Sequence, residues 1–164
     1  NGRFYHADGK AHFQVTEWRE SGDPCDASFP LFLTTGRVVS HYLSGTQTRR
    51  IGPLVEQYPE PRIELHPRLA ERHGIATGDW MRVTTRRAAV VAQASVVKTI
   101  RPDTIFIPYH WPGRRSANLL THRTLDPRSK IPEYKVSACR IERAEPPADL
   151  DAWRIEETGW RPAP

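Results

Sequence analysis

The sequence predicts a mainly β protein with short helices, built as a barrel, and three observations support this fold class. Six short segments have the apolar or alternating patterns of strands, and residues that favour turns lie between them. Helix signals are confined to one or two brief stretches. Hydrophobic residues make up 38% of a chain of 164, which suits one domain with a buried core. Short strands separated by turns are typical of a barrel.

The first predicted elements follow from local patterning. Residues 29–34 contain the apolar run Leu31-Phe32-Leu33 and are predicted to form a buried strand. Residues 62–66 alternate polar and apolar side chains, as a strand with one buried face does. Pro67–His73 is predicted to be a short helix, because proline suits the first turn and Gly74 follows the last residue.

The remaining strands lie between clear breaks. A turn at residues 77–79 precedes a predicted strand over residues 80–86. Residues 88–98 present a nearly continuous apolar face, so we expect a central strand there. Residues 101–103, which include Pro102, end that strand. Further strands are predicted over residues 104–107 and 135–142, and the last one closes the fold.

Charge and hydropathy exclude several classes of partner. The net charge of +5 indicates an anionic ligand or an acidic neighbouring domain. We predict no nucleic-acid partner, because the arginines do not alternate with aromatic residues and no helix-turn-helix or zinc-finger spacing occurs. We predict no membrane segment, because no apolar run approaches the length of a bilayer crossing. We expect a cytoplasmic protein, with any targeting signal lying upstream.

Cysteine and histidine spacing predicts no metal site. Cys25 and Cys139 are too few and too far apart for a Cys-x-x-Cys motif. Cys139 lies in a predicted strand and is interpreted as a small buried apolar residue, while a disulfide between the two cysteines stays open. The histidines lack the His-x-x-x-His spacing that places two ligands on one helical face.

The most informative segment follows the first strand. Gly36 and Gly45 permit positive φ or the close approach of a ligand to the backbone. Hydroxyl groups supply neutral hydrogen-bond donors, and guanidinium groups suit phosphate. The hydroxyl residues are Thr34, Thr35, Ser44, Thr46 and Thr48, and the arginines are Arg37, Arg49 and Arg50. The segment therefore indicates a site for a large, polar, doubly anionic ligand. His41, within it, either orients the loop or contacts the ligand.

A second informative segment follows the strand at residues 104–107. Tyr109 either forms an aromatic wall for the ligand or packs in the core. Asn118 either caps a helix or meets the edge of a heterocyclic ring, since its amide both donates and accepts. Lys135, at the start of the last strand, either meets a phosphate or a carbonyl group or is a solvated lysine at a strand edge.

Taken in order, these motifs resemble the C-terminal molybdopterin-dinucleotide-binding domain of the molybdenum and tungsten oxidoreductases. That family includes dimethyl sulfoxide reductase, nitrate reductases and formate dehydrogenases. The resemblance covers about residues 1–143 and rests first on the segment from Leu33 to Arg50. It continues in Ile63-Glu64-Leu65-His66-Pro67, Ala70-x-x-x-Gly74-Ile75, Gly78-Asp79, Asn118-x-Leu120-Thr121, Asp126-Pro127-x-Ser129-Lys130 and Glu133-Tyr134-Lys135. The fold it implies is a six-stranded double-psi β-barrel.

The resemblance implies that the chain binds the bis(molybdopterin guanine dinucleotide) cofactor, carrying molybdenum or tungsten. Its partners would be the upstream domains of the same oxidoreductase, or its catalytic subunit, of the nitrate reductase or formate dehydrogenase type. No residue matches the family's metal ligand, and the iron–sulfur cysteine motif is absent. We therefore expect the chain alone to be inactive and to hold no cofactor. The alternative is a stand-alone double-psi barrel that binds a nucleotide or a protein partner.

Carried over residue by residue, the resemblance implies a set of cofactor-binding residues and no catalytic or metal-ligating ones. The set comprises Thr35, Gly36, Arg37, Ser40, His41, Tyr42, Ser44, Thr46, Tyr109, Asn118, Tyr134 and Lys135. Two departures from the family pattern occur. Gln47 stands where many relatives have Met, so a contact there could be polar. Ala88 stands where glycine is common, so we expect a different type of hairpin turn.

Three regions are predicted along the chain. Residues 1–28 form a lead-in segment from a missing upstream domain, with a turn at Asp8-Gly9 followed by a short strand near Phe13. Residues 29–143 form the barrel, and residues 144–164 form a C-terminal tail. Because the tail contains Trp153 and Trp160, we expect it to pack on a partner surface.

Overall fold

A computed structural model describes residues 2–149, which form a closed six-stranded barrel with short helices. The predicted mainly β fold, a double-psi β-barrel, is confirmed. Its strands are β1 (Leu31–Gly36), β2 (Arg62–Leu65), β3 (Trp80–Thr84), β4 (Ala89–Val96), β5 (Thr104–Pro108) and β6 (Ser137–Arg143). No helix of the described residues is long and apolar enough to cross a membrane.

The strands close in the order β1-β5-β2-β4-β3-β6. β1 pairs with β5 and β2 with β4 in parallel, and the other four pairings are antiparallel. Exchanging β1, β2 and β3 with β4, β5 and β6 reproduces every pairing and every direction. The barrel therefore consists of two topologically equivalent, interlocked halves, although the sequence contains no evident repeat.

Two α-helices and three 3-10 turns connect the strands. The helices are α1 (Gly52–Gln57) and α2 (Pro67–His73), and the 3-10 turns are Thr48–Arg50, Gly113–Arg115 and Ala117–Leu119. The predicted bounds of α2 are confirmed. His66 caps its N-terminus by accepting a hydrogen bond from Arg68 N at 3.1 Å. Gly74 ends it with φ +62°, the left-handed conformation that glycine adopts without strain.

Alternate side chains of each strand fill the barrel interior. In β1 and β5, Leu33, Ile105 and Ile107 are almost fully buried, as Met81 and Val83 are in β3. This period of two is the pattern from which β2 was predicted, whereas β1 and β4 were predicted from their apolar runs. The interpretation of Cys139 as a small buried residue is also confirmed, and both cysteines are free thiols.

The lead-in segment differs from its prediction in one respect. The turn exists, with Gly9 N donating to His6 O at 2.8 Å and φ +68° at Gly9. The strand predicted near Phe13 is wrong: residues 11–20 are exposed and belong to no sheet. The barrel is closed, so it offers no free edge with which this segment could pair. Trp153 and Trp160 lie outside the described residues.

Residues 22–29 are attached to the barrel by a buried carboxylate. Asp23 accepts from Arg86 Nη1 at 2.6 Å, from Arg87 Nη2 at 2.8 Å and from Ala138 N of β6 at 3.0 Å. Arg86 and Arg87 form the tip of the β3–β4 hairpin, where Thr85 N donates to Ala88 O at 2.9 Å. Neither arginine has a positive φ, in keeping with the different turn expected from Ala88.

Candidate functional site

The candidate site lies where three neighbouring strands meet at one end of the barrel. β1 and β5 run in parallel with Gly36 opposite Pro108, so the residues that follow both strands emerge side by side. Arg37 Nε donates to the Tyr109 hydroxyl at 2.6 Å, a contact that raises the pKa of Arg37. β6 runs antiparallel on the other side of β1, so Lys135, just before it, reaches the same end.

These chain segments enclose an open cleft of about 820 Å³. Its walls combine two cations, four hydroxyl groups from one threonine, one serine and two tyrosines, and one amide, and they contain no carboxylate. The lining residues are Thr35, Arg37, Leu43, Ser44, Tyr109, Asn118, Pro132, Tyr134 and Lys135. Such a surface suits a large anionic ligand with polar edges and planar rings.

Lys135 is held against the end of β1. Its Nζ donates to Thr35 O at 2.8 Å, and the Thr35 hydroxyl donates to Tyr134 O at 2.9 Å. The ammonium group also lies 5.6 Å from the centre of the Tyr109 ring and 5.4 Å from that of Tyr134. An ammonium group has three N–H donors, so one bond to Thr35 leaves donors for a ligand.

Asn118 lies within the 3-10 turn Ala117–Leu119. The helix-cap alternative for Asn118 is wrong, because Ser116 is the cap and its hydroxyl accepts from Asn118 N at 3.3 Å. Within residues 2–149, no hydrogen bond engages the Asn118 side-chain amide, which faces the cleft. This amide can therefore donate to and accept from a ligand at once.

The loop of residues 38–43 follows Arg37, and two unusual backbone positions lie at its last residue, Leu43, and two residues beyond it, at Gly45. Leu43 has φ +47°, which is rare for a residue with a branched side chain. Gly45 has φ +74°, and a Cβ there would lie only 2.5 Å from His110 O. Glycine is therefore required at position 45, as its place in the ligand segment suggested.

Two buried histidines contact the backbone and side chains that hold this loop in place. His110 Nε2 accepts from Val38 N at 2.9 Å, and its Nδ1 lies 2.5 Å from Leu43 O. His41 Nε2 lies 2.8 Å from Tyr58 O, and its Nδ1 lies 3.1 Å from the Thr48 hydroxyl. Burial lowers the pKa of both histidines, and the positive charge of Arg49 lowers it further. Both rings are therefore neutral near pH 7.

A family model described as "Molydopterin dinucleotide binding domain" matches residues 31–138, which include β1 to β5 and the first two residues of β6. The chain belongs to this family. It is 39% identical over 141 residues to the F420-dependent formate dehydrogenase subunit alpha of Methanocaldococcus jannaschii, covering 86% of this chain and 21% of that protein. It is 37% identical over 140 residues to the assimilatory nitrate reductase catalytic subunit of Bacillus subtilis, covering 84% and 20%.

A solved structure shares the fold of this molybdopterin dinucleotide-binding domain. Acetylene hydratase from Pelobacter acetylenicus matches with a TM-score of 0.62 and 21% identity, over 71% of this chain and 18% of the hydratase. The chain spans about one fifth of the length of the curated relatives named above. The recognition of the family from its motifs is thus confirmed.

The barrel brings seven of the twelve predicted cofactor-binding residues of this domain to the cleft. They are Thr35, Arg37, Ser44, Tyr109, Asn118, Tyr134 and Lys135. Thr46 lies beside the cleft, with its hydroxyl 2.8 Å from that of Ser44. Tyr42 is exposed on the same loop but does not line the cleft.

The other predicted residues of the domain lie behind the cleft. Gly36 accommodates the ring of Phe106, since a Cβ on Gly36 would come within 2.5 Å of Phe106 Cε2. Ser40 is buried and its hydroxyl lies 3.3 Å from Gln57 Oε1. Both ring nitrogens of His41 bond protein atoms, which favours the loop-orienting alternative. A ligand contact by any of these three stays a prediction.

Sequence reasoning missed three residues that shape the site. Leu43 and Pro132 line the cleft, and His110 binds both ends of the 38–43 loop. His110 had a usable signal, because it stands between Tyr109 and a tryptophan directly after a strand. Among the described residues, no group of three or more His, Cys, Asp or Glu side chains could hold a metal ion.

Proposed function

We propose that this domain binds bis(molybdopterin guanine dinucleotide) through the cleft at the ends of β6, β1 and β5. One observation carries the proposal: within the segment that matches the family, the cleft gathers two cations and a free amide without any carboxylate. A dinucleotide of this kind has a diphosphate and two heterocyclic ends. The chemistry of the lining residues fits both parts.

The roles follow from the donors that the protein itself leaves available. Arg37 uses Nε for Tyr109, and no hydrogen bond within residues 2–149 engages its terminal nitrogens, which suit a diphosphate. Lys135 offers a second cation at the same end of the barrel. Asn118 would bind a ring edge, and Tyr109 would form an aromatic wall. The bound cofactor, whose metal is held by pterin dithiolenes, would supply the redox chemistry.

We further propose that the domain belongs to an oxidoreductase of the formate dehydrogenase or nitrate reductase type. The supporting observation is the identity of 37–39% to the relatives named above. The metal ligand and electron-transfer centres would then come from other domains or from a catalytic subunit. The 164-residue chain, supplied with formate or nitrate and a redox dye, should show no turnover.

The experiment replaces Arg37 by glutamate in the oxidoreductase that contains this chain. Loss of a charge-assisted contact weakens binding by about ten- to a hundredfold, and the new carboxylate beside a diphosphate adds repulsion. Bound molybdenum or tungsten should therefore fall together with the guanine nucleotide released on acid hydrolysis. Release of a different nucleotide from the wild type would contradict the guanine assignment.

Arg143→Glu is the matched control. Arg143 ends β6 and forms an exposed ion pair with Asp79 at 3.3 Å, far from the lining residues. Exposed pairs contribute at most about 1 kcal/mol to folding stability, so this variant should keep wild-type occupancy. Equal occupancy in Arg37→Glu and Arg143→Glu would refute the assignment of the cleft.

A further inference from the structure

We propose that His110 is a positioning residue that holds the 38–43 loop in its ligand-binding shape only while its ring is neutral. The ring binds both ends of this loop: Val38 through Nε2 and Leu43 through Nδ1. The side chain has no exposed surface, so water cannot replace either partner without opening the loop. The proposal concerns the loop itself, and only its consequence for cofactor retention rests on the proposed function.

The two partners determine the protonation state. Val38 N–H is a donor, so Nε2 must present a lone pair to it. Leu43 O is an acceptor, so Nδ1 must carry the proton. The neutral ring protonated at Nδ1 is the only form that satisfies both, and a second proton would set an N–H group against the Val38 N–H.

The far end of the loop depends most on this ring. Leu43 has the left-handed φ of +47°, a conformation that persists in folded proteins where the surroundings hold it in place. The Nδ1–H group of His110 binds the carbonyl of this same residue, and the Leu43 side chain lines the cleft. Weakening the His110 contacts therefore acts directly on one wall of the cleft.

The charged surroundings of His110 oppose its protonation. His41, from the loop, has its ring centre 5.7 Å away, and Tyr109, the preceding residue, lies at 4.9 Å. Arg37, after β1, and Arg49, from the 3-10 turn below the loop, add positive charge. Burial first, and then these cationic neighbours, lower the pKa of His110 below its usual range, against the contact with Leu43 O.

The structure at neutral pH and the structure in acid, once the His110 ring is protonated, should therefore differ at the loop. The folded-state pKa of His110 lies below the unfolded-state value of about 6.5, so the ring is neutral and the loop intact at pH 6.5, and the response comes at lower pH. As the pH falls from there, each unit increases the tendency of the ring to take up a proton by about tenfold. The Val38 contact is lost when it does.

The first test is a pH titration of the ¹⁵N-labelled 164-residue chain by nuclear magnetic resonance. At pH 7.5 the His110 ring should show a protonated Nδ1 and an unprotonated Nε2. On acidification, the Val38 and Leu43 amide signals should shift or broaden together with the His110 ring signal. Amides of residues 38 and 43 that do not respond when His110 takes up a proton would overturn the proposal.

Two variants test the contacts of His110 with the two ends of the loop separately. His110→Gln places an amide oxygen near the Nε2 position and cannot take up a proton, so it should keep the Val38 contact and abolish the acid response. His110→Asn places an amide nitrogen near the Nδ1 position, so it should keep the Leu43 contact and leave Val38 disordered. His73→Gln, on the exposed end of α2, is the control and should leave the acid response unchanged. An acid response that persists in His110→Gln would assign it to His41 and overturn the proposal.

The second test measures cofactor loss from the holoenzyme. As the pH falls below about 6.5, the wild type should release nucleotide and metal about tenfold faster for each pH unit until the His110 ring is protonated, whereas His110→Gln should lack this dependence. If the loop responds to pH in the chain but cofactor loss does not, the loop does not retain the cofactor, and the occupancy of Arg37→Glu decides separately whether the cleft binds it. If neither responds, the positioning role of His110 is refuted while the cleft assignment stands.

Discussion

Replacing Asp23 by alanine should destabilise the barrel more than any exposed charge substitution. Asp23 has 5% of its side-chain surface exposed, whereas the side chains of Arg86 and Arg87 are exposed by 33% and 24%. The variant removes two ion-pair hydrogen bonds and leaves the buried Ala138 N–H without an acceptor. Breaking a fully buried pair costs about 3–5 kcal/mol. The two arginines can regain water, so we expect about 3 kcal/mol.

Urea denaturation of the 164-residue chain, followed by circular dichroism, measures this change in the free energy of unfolding. Glu142→Ala is the control, because Glu142 and Arg82 form an exposed pair with atoms 3.4 Å apart. Exposed pairs contribute less than about 1 kcal/mol. If Asp23→Ala lowered the free energy of unfolding no more than Glu142→Ala does, the lead-in segment would not be anchored through this carboxylate.

The same carboxylate gives the stability a defined pH dependence. Burial alone would raise the pKa of Asp23, but hydrogen bonds from Arg87, Ala138 N–H and Arg86 outweigh it and the pKa is lowered. A carboxyl group with a depressed pKa stabilises the folded state above its unfolded-state value of about 3.9 and loses that effect as the pH falls. The difference in stability between wild type and Asp23→Asn should therefore shrink below about pH 4.

A glycine substitution and a cysteine modification test the packing of the barrel. Gly36→Ala should lower the free energy of unfolding by about 1–3 kcal/mol, because its Cβ would contact the Phe106 ring at 2.5 Å. Gly52→Ala, in α1, would bring its new Cβ near no atom beyond its own helix and should not lower it, and similar losses for the two variants would contradict this packing. In the folded chain, a maleimide should modify the partly exposed Cys25 well before the buried Cys139, whose pKa is raised by burial. Equal rates at the two thiols would show that Cys139 is accessible.

Local signals predicted the barrel strands and α2 well. Pro67 and Gly74 mark the ends of α2 through rules that involve only neighbouring residues. The six strands were also found, since their period of two or their apolar runs reflect which side chains face the core. The prediction of a strand near Phe13 was wrong because a strand depends on a partner that is distant in sequence. No local pattern shows that the barrel closes without this segment.

Parts of the site could not be predicted from local sequence, because they depend on contacts between residues that are distant along the chain. The twelve predicted residues came from the resemblance to the family, and the pairing of β1 with β5 explains why Arg37 meets Tyr109, which follows it by 72 residues. Nothing local in the sequence connects His110 to Val38, or Asp23 to Arg86. His110 and Asp23 are polar residues whose partners depend on the topology of the barrel. Their roles are therefore evident only from the three-dimensional structure.

The two equivalent halves of the barrel differ in the lengths of their connections, and this difference determines at which end the cleft lies. The connection after β1 comprises residues 37–61, whereas its counterpart after β4 comprises only residues 97–103. Likewise, residues 109–136 follow β5, whereas residues 66–79 follow its counterpart β2. Both long connections border the cleft, which lies at only one of the two equivalent ends.

The paired strands are therefore equivalent at the two ends of the barrel, and the end with the two long connections carries the cleft. Closure of the barrel depends on hydrogen-bonded strands that both halves supply equally. Most residues that line the cleft lie in the two long connections, 37–61 and 109–136. The closed sheet and the lining of the cleft thus draw mainly on different parts of the chain, so the proposed binding segments can change in sequence while the six-stranded frame stays the same.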